Sequence, residues 1–275
     1  MDGSLDIRFA APNVAGAISR LTHLDQRAPL RALFPHCPNM GLPVAAITAT
    51  CGGFVGGDRL ALNLEIGDSA ALMAIGQSAE KLYRSTGAET EIRATFTLGR
   101  DAWLEYLPQE TILFDGARLR RETRVEMGAG SGLLAGEILA FGRQARGETI
   151  SHGLIHDSWS IHRGGKLAWA DVFHGADADL VDLIDHPAAL AGSRASAMLI
   201  HAGSNLAVAL AWVRDKLAAL NNQLRVAATI VNDVLLVRWL APEAADIRPG
   251  FAALWMGLRA MSRGLPAQLP TFWHV

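Results

Sequence analysis

The chain has 275 residues, half of them hydrophobic, and a formal net charge of −2 at pH 7. A chain this long buries roughly three quarters of its unfolded surface, and a near-neutral charge gives no basic field for nucleic acid or anionic lipid. No run reaches the ~18 uncharged apolar residues of a membrane span, and the start MDGSLDIRFAAPN lacks a basic segment followed by an apolar one.

Two cysteines, Cys37 and Cys51, are too few for a disulfide framework. The sequence is therefore expected to work in a reduced, cytoplasmic setting.

In chain order, the glycine-dense CGGFVGGDR (Cys51–Arg59) comes first. It lacks the Gly-Lys-Ser/Thr ending of a phosphate loop and runs into a strand, so it reads as a close-packed turn. In LALNLEI, Leu60, Leu62, Leu64 and Ile66 share one face and Asn63 and Glu65 the other, the alternation of a half-buried strand. EIRATFTL repeats it with Ile92, Ala94, Phe96 and Leu98. LPQETILFDGARLRRET (Leu107–Thr123) joins a Gln-Glu pair, an Asp-Gly turn and arginines. Overlapping its end, in residues 119 to 127, Arg120, Glu122, Arg124 and Glu126 form a charge ladder suited to a solvated strand face.

Turn signals follow at Gly67-Asp68, Gly99 to Asp101, Asp115-Gly116, Gly128 to Gly132 and Gly164-Gly165, the last between two strands as in a hairpin. Such spacing predicts a mainly β fold, two layers of antiparallel structure arranged as a sandwich or solenoid. In the last third, Leu206, Leu210, Val213, Leu217 and Leu220 mark a helix with Ser204 as N-cap and Asn221-Asn222 as its close. A strand pair turns at Asn232-Asp233, and Phe251, Leu254, Trp255, Leu258 and Met261 mark a second helix ended by Gly264. No linker or clear repeat divides the chain, so one domain over 1–275 is expected, β-rich to 200 and helix-containing from 201.

Acids inside apolar strands are the unusual feature. Glu137 is the only charge from Leu133 to Phe141, and Asp171 shares a face with Leu167, Trp169 and Phe173; Asp58 and Glu80 border apolar strands. A buried carboxylate is costly unless paired or bound to a cation. For any one of them an arginine partner is the plainer reading; four in one fold suggest a polar interior channel. Histidines offer one metal-like spacing, His152 and His156, but on a strand these stand ~13 Å apart. No G-x-S-x-G elbow appears and neither cysteine has a catalytic context. A β-sandwich hydrolase with a spatially assembled site remains the alternative.

GGFVGGDRLAL, QSAEKLYRSTGAE, WLEYLPQETILFDGARLRRET, LLAGEILAFGRQARGET and the C-terminal LLVRWL…FAALWMGLRAMSRGLPAQLPTFW together resemble the UreD-type urease accessory proteins, from about Arg27 to the end. The resemblance implies a non-catalytic scaffold or chaperone for nickel insertion into apo-urease. It further implies a helical UreF-type partner, a UreG-type GTPase and a nickel-delivering metallochaperone. No cofactor is held stably on this reading; nickel(II) passes through an interior tunnel, for which Asp58, Glu80, Glu137 and Asp171 are the expected lining. Phe251, Trp255, Leu258, Phe272 and Trp273, as surplus apolar surface on the last helix and tail, are expected to meet the UreF-type partner. The family's Thr-Ser-Gly-Gly is Thr-Cys-Gly-Gly at Cys51, and its Thr-Thr-Gln-Ala-Ala is Ala-Ile-Gly-Gln-Ser-Ala before Glu80.

Overall fold

The alternating segments become strands with one face in a core. The computed structural model describes residues 1–12, 18–218 and 224–274. The chain runs through β1 (Asp2–Ala10), β2 (Arg20–Arg27), β3 (Leu30–Leu33), β4 (Val44–Ala49), β5 (Arg59–Ile66), β6 (Ala71–Gly76) and β7 (Glu80–Leu82). Next come β8 (Thr90–Leu98), β9 (Trp103–Leu107), β10 (Thr111–Leu113), β11 (Arg118–Met127), β12 (Gly132–Phe141), β13 (Leu154–Arg163) and β14 (Lys166–Ala176). The rest is α1 (Asp177–Asp185), β15 (Ala195–Ala202), α2 (Leu206–Ala218), β16 (Arg225–Val231), β17 (Val234–Ala241) and α3 (Ala244–Arg263).

Two sheets stack. The first has the order β14-β13-β11-β8-β5-β1-β2; the second runs β16-β17-β15-β12-β9-β6-β4-β3, with β10 paired to β12 and to β7. The mainly β, layered reading holds, but antiparallel pairing is confined to the flanks. β1, β5, β8, β11 and β13 are mutually parallel, as are β4, β6, β9 and β12.

The reason lies in the corners. At Gly67, Gly99 and Gly128 the chain does not double back; it leaves the first sheet for the second, so each turn of the coil adds a parallel strand to each layer. The corners stack: Gly99 N–H donates to the Ile66 carbonyl at 2.7 Å and Gly128 N–H to the Leu98 carbonyl at 2.7 Å. A Cβ on Gly128 would stand 2.7 Å from the carbonyl carbon of Gly99, so glycine is required there. In sequence, a glycine corner and a hairpin turn leave the same mark. True hairpins do form where expected, at Gly164-Gly165 (φ 56 and 75) and Asn232-Asp233 (φ 47 and 61).

One core fills the space between the sheets. A second lies between the outer face of the second sheet and the helices, where Phe251, Leu254, Trp255 and Leu258 pack on Leu134, Ile138, Val237 and Trp239. β12, buried on both faces over all ten residues, separates the two cores. α3 begins in a capping box between Glu243 and Asp246 and ends at Gly264 in the left-handed conformation (φ 62). Asn205, not Ser204, immediately precedes α2, its carbonyl accepting from Ala209 N–H at 3.1 Å. The expected close at Asn221-Asn222 falls outside the described residues. α1 has no counterpart in the sequence reading: it is nine residues long and four are aspartate, too short and polar to show an apolar stripe.

Candidate functional site

β11 carries the charge ladder outward, and the same alternation turns Arg121 inward between Leu119 and Thr123. Arg121 is 7% exposed, between the layers. Its Nε donates to Asp157 Oδ1 at 2.9 Å and its Nη2 closes a bidentate pair on the same carboxylate. Nη2 also reaches Glu137 Oε2 at 2.7 Å, and Nη1 donates to Thr111 Oγ1 at 3.1 Å. Trp159 Nε1 donates to Glu137 Oε2 at 3.0 Å. The first sheet thus supplies Arg121, Asp157 and Trp159, and the second Glu137 and Thr111.

Two buried acids face one guanidinium. Burial, and then the Asp157 charge, push the Glu137 carboxyl up to about 8 against the pull of Arg121. Glu80, at the start of β7, is likewise raised by burial, with Arg121 acting in the opposite sense. Tyr106 completes the group, its hydroxyl raised by burial and by the charge of Glu80.

Two cavities flank this cluster. The first, about 290 Å³, is lined by Glu80, Tyr106, Gln109, Arg121 and Cys51 among apolar side chains. The second, about 400 Å³, is lined by Glu137, Asp171, Phe173, Ser196 and Arg238 among others. Arg121 borders the first and Glu137 the second, so the ion pair between them stands at the boundary. Three of the four acids therefore border these two cavities, Glu80 the first and Glu137 and Asp171 the second. Asp171 also pairs with Arg238 at 2.8 Å.

Asp58 lines neither cavity. Only 2% exposed, it accepts Val55 N–H at 2.9 Å and pairs with the Met1 amino group, bracing the glycine loop. Among the described residues no group of three His, Cys, Asp or Glu side chains is placed to hold a metal ion. Arg121 and Asp157 were missed in the sequence because each sits beside polar neighbours of the opposite face; a strict period-2 reading from Leu119 or Ile155 would have turned both inward.

The Gln109-Glu110 pair has a structural partner. Arg248 of α3 donates to Gln109 Oε1 at 2.8 Å and also binds Glu110 and the Trp273 carbonyl, with its guanidinium 4.4 Å from the Trp273 ring centre. A second buried ion pair anchors α3 further along: Glu105 accepts from Arg259 Nε at 3.1 Å, Trp255 Nε1 at 2.9 Å and Trp103 Nε1 at 3.1 Å. These contacts correct the expected partner surface. Phe251, Trp255, Leu258 and Trp273 are 0–1% exposed and Phe272 is half-buried. The apolar stripe of α3 and the aromatic tail are core because the second sheet has an outer apolar face to cover.

Two Ser–His contacts bear on hydrolysis. Ser262 Oγ lies 3.0 Å from His201 Nε2, but His201 is fully buried and its Nδ1 faces the Leu133 carbonyl. At the surface, His152 Nδ1 lies 3.0 Å from Ser151 Oγ and 3.5 Å from Asp115 Oδ1, so serine and acid share one ring nitrogen. A triad uses opposite ring nitrogens for the two partners.

A family model described as UreD urease accessory protein matches residues 1–274. The chain is 42% identical over 261 residues to a urease accessory protein UreD of Magnetococcus marinus, covering 94% of this chain and 89% of that protein. It is 39% identical over 271 residues to one from Methylobacterium sp., covering 98% and 93%. A third, from Granulibacter bethesdensis, is 38% identical over 231 residues, covering 84% and 95%.

Proposed function

Because the chain belongs to the UreD family of urease accessory proteins and so has a role in urease maturation, we propose that it is a non-catalytic scaffold that lets nickel(II) pass through its interior to apo-urease. The observation that carries this reading is that Glu80 lines one cavity and Glu137 and Asp171 line a second, with the Arg121–Glu137 pair between them.

Nickel(II) accepts oxygen and imidazole ligands, and transit needs binding weak enough for release. Carboxylates spaced singly along a passage meet that need better than a closed cage of Cys and His, which would trap the ion. Arg121 supplies the balancing charge that lets Asp157 and Glu137 stay buried when no ion is present. An arriving cation competes with that guanidinium for Glu137, which keeps its hold on the ion short. Cys51 on the wall of the first cavity adds a soft donor.

On this reading the chain acts with a UreF-type accessory protein and a UreG-type GTPase, which hydrolyses the nucleotide that this chain has no loop to bind. A metallochaperone supplies the ion. The hydrolase alternative loses support from the Ser–His geometry above.

The test is urease activation with Glu80→Gln, Glu137→Gln and Asp171→Asn, read beside co-purification with urease and the accessory proteins. Activation falls while assembly persists if the acids line a passage. Full activation by all three variants overturns it.

A further inference from the structure

His152 and His156 are held apart along one strand, but His156 has a nearer histidine across the sheet. His174 lies directly opposite it in the antiparallel β13–β14 register, with ring centroids 5.4 Å apart and planes inclined by 67°. Both rings stand on the outer face of the first sheet. The next residue, Asp157, points the other way into the buried cluster. His156 is half-buried and His174 is exposed.

We propose that His156 and His174 form a surface site for a tetrahedral divalent cation of the Zn2+ type. An imidazole nitrogen binds Zn2+ at about 2.0–2.1 Å, which puts each ring centre ~3.2 Å from the ion. With one nitrogen of each ring turned to a shared ion, ring centres 5.4 Å apart subtend roughly 115° at the metal. That is near the tetrahedral angle; a six-coordinate ion with adjacent ligands at a right angle would need ring centres about 4.5 Å apart. His152, by contrast, is already engaged by Ser151 and Asp115.

The surroundings tolerate the charge. Arg120 flanks His156 on β11 but is neutralised by a bidentate pair with Glu89 at 2.6 and 3.2 Å. Arg118, the next cation on that face, pairs with Asp177 at 3.1 Å. Two protein ligands leave two positions to water, so the ion exchanges readily. The site lies on the opposite face of β13 from Glu137, and it stands or falls independently of the interior passage.

The test is Zn2+ titration of the purified, tag-free full chain against a chromophoric chelator. His156→Ala and His174→Ala each lower affinity tenfold or more; His162→Ala, on the same face of β13, and Glu137→Gln leave it unchanged. Melting curves of the variants stay close to wild type, since neither ring is in a core; should either alanine variant melt early, His→Gln at the same position replaces it. Co2+ in place of Zn2+ gives the intense visible absorption of a four-coordinate ion. Wild-type affinity in both histidine variants, loss of binding in Glu137→Gln, or a weak six-coordinate Co2+ spectrum would overturn the assignment.

Discussion

Replacing Arg121 with methionine removes the one cation in the buried cluster while keeping most of its volume. Four hydrogen bonds go with it: two to Asp157, one to Glu137 and one to Thr111. Asp157 is 3% exposed and Glu137 9%, so neither can turn to water. Breaking a buried ion pair by removing one partner costs about 3–5 kcal/mol. In a chain of this size each kcal/mol lowers the melting temperature by about 2–4 °C, so the variant should melt ~6–20 °C below wild type at pH 8. Calorimetric melts of wild type and variant at pH 8 decide it. A melting temperature within 2 °C of wild type would refute the reasoning.

In wild type, Glu137 holds its proton up to about pH 8 against an ordinary value of 4.5, so the folded state binds more protons and this group's contribution to stability falls as pH rises from about 4.5 to 8. Glu137→Gln should flatten that part of the stability–pH curve, with a gain of a few kcal/mol at most at pH 8, since each tenfold in proton affinity is worth about 1.4 kcal/mol; an unchanged slope counts against a protonated Glu137. Phe251→Ala should cost about 3–5 kcal/mol, and truncation after Gly264 should cost stability too, because Trp273 is core and its carbonyl holds Arg248. A truncated chain that melts like wild type and loses only its partner would restore the tail as an interface. Asp58→Ala should lower the melting temperature by loosening the glycine loop, while urease activation per folded molecule stays at wild type; lost activation at unchanged stability would put Asp58 back in the passage.

The strands were legible because one face of each is apolar: Leu60 to Ile66 and Ile92 to Leu98 needed only their own alternation. Their partners were not, because parallel coil and antiparallel hairpin place glycine at the same points, and only the stacking of Gly67, Gly99 and Gly128 distinguishes them. The helix of Phe251 to Met261 was evident from its spacing, yet the spacing is silent on what covers the stripe; the outer face of the second sheet does. Glu137 stood out as a lone charge in an apolar run. Arg121 was hidden among four arginines between 118 and 124, three of which face solvent or partial exposure, and the pairing of Glu137 with it joins residues 16 apart on different sheets. The placing of Glu80, Glu137 and Asp171 on the walls of two cavities is a product of tertiary packing that no local pattern encodes.

The central claim is tested most directly by the nickel content of urease matured with Glu137→Gln in place of the wild-type chain, all other accessory proteins present. Glutamine keeps the shape and can still accept from Trp159, but has no carboxyl that can give up a proton to bind a passing cation. The account predicts urease that is assembled with its accessory proteins, a variant that melts no lower than wild type, and a nickel content reduced tenfold or more. Wild-type nickel content at equal expression would contradict it.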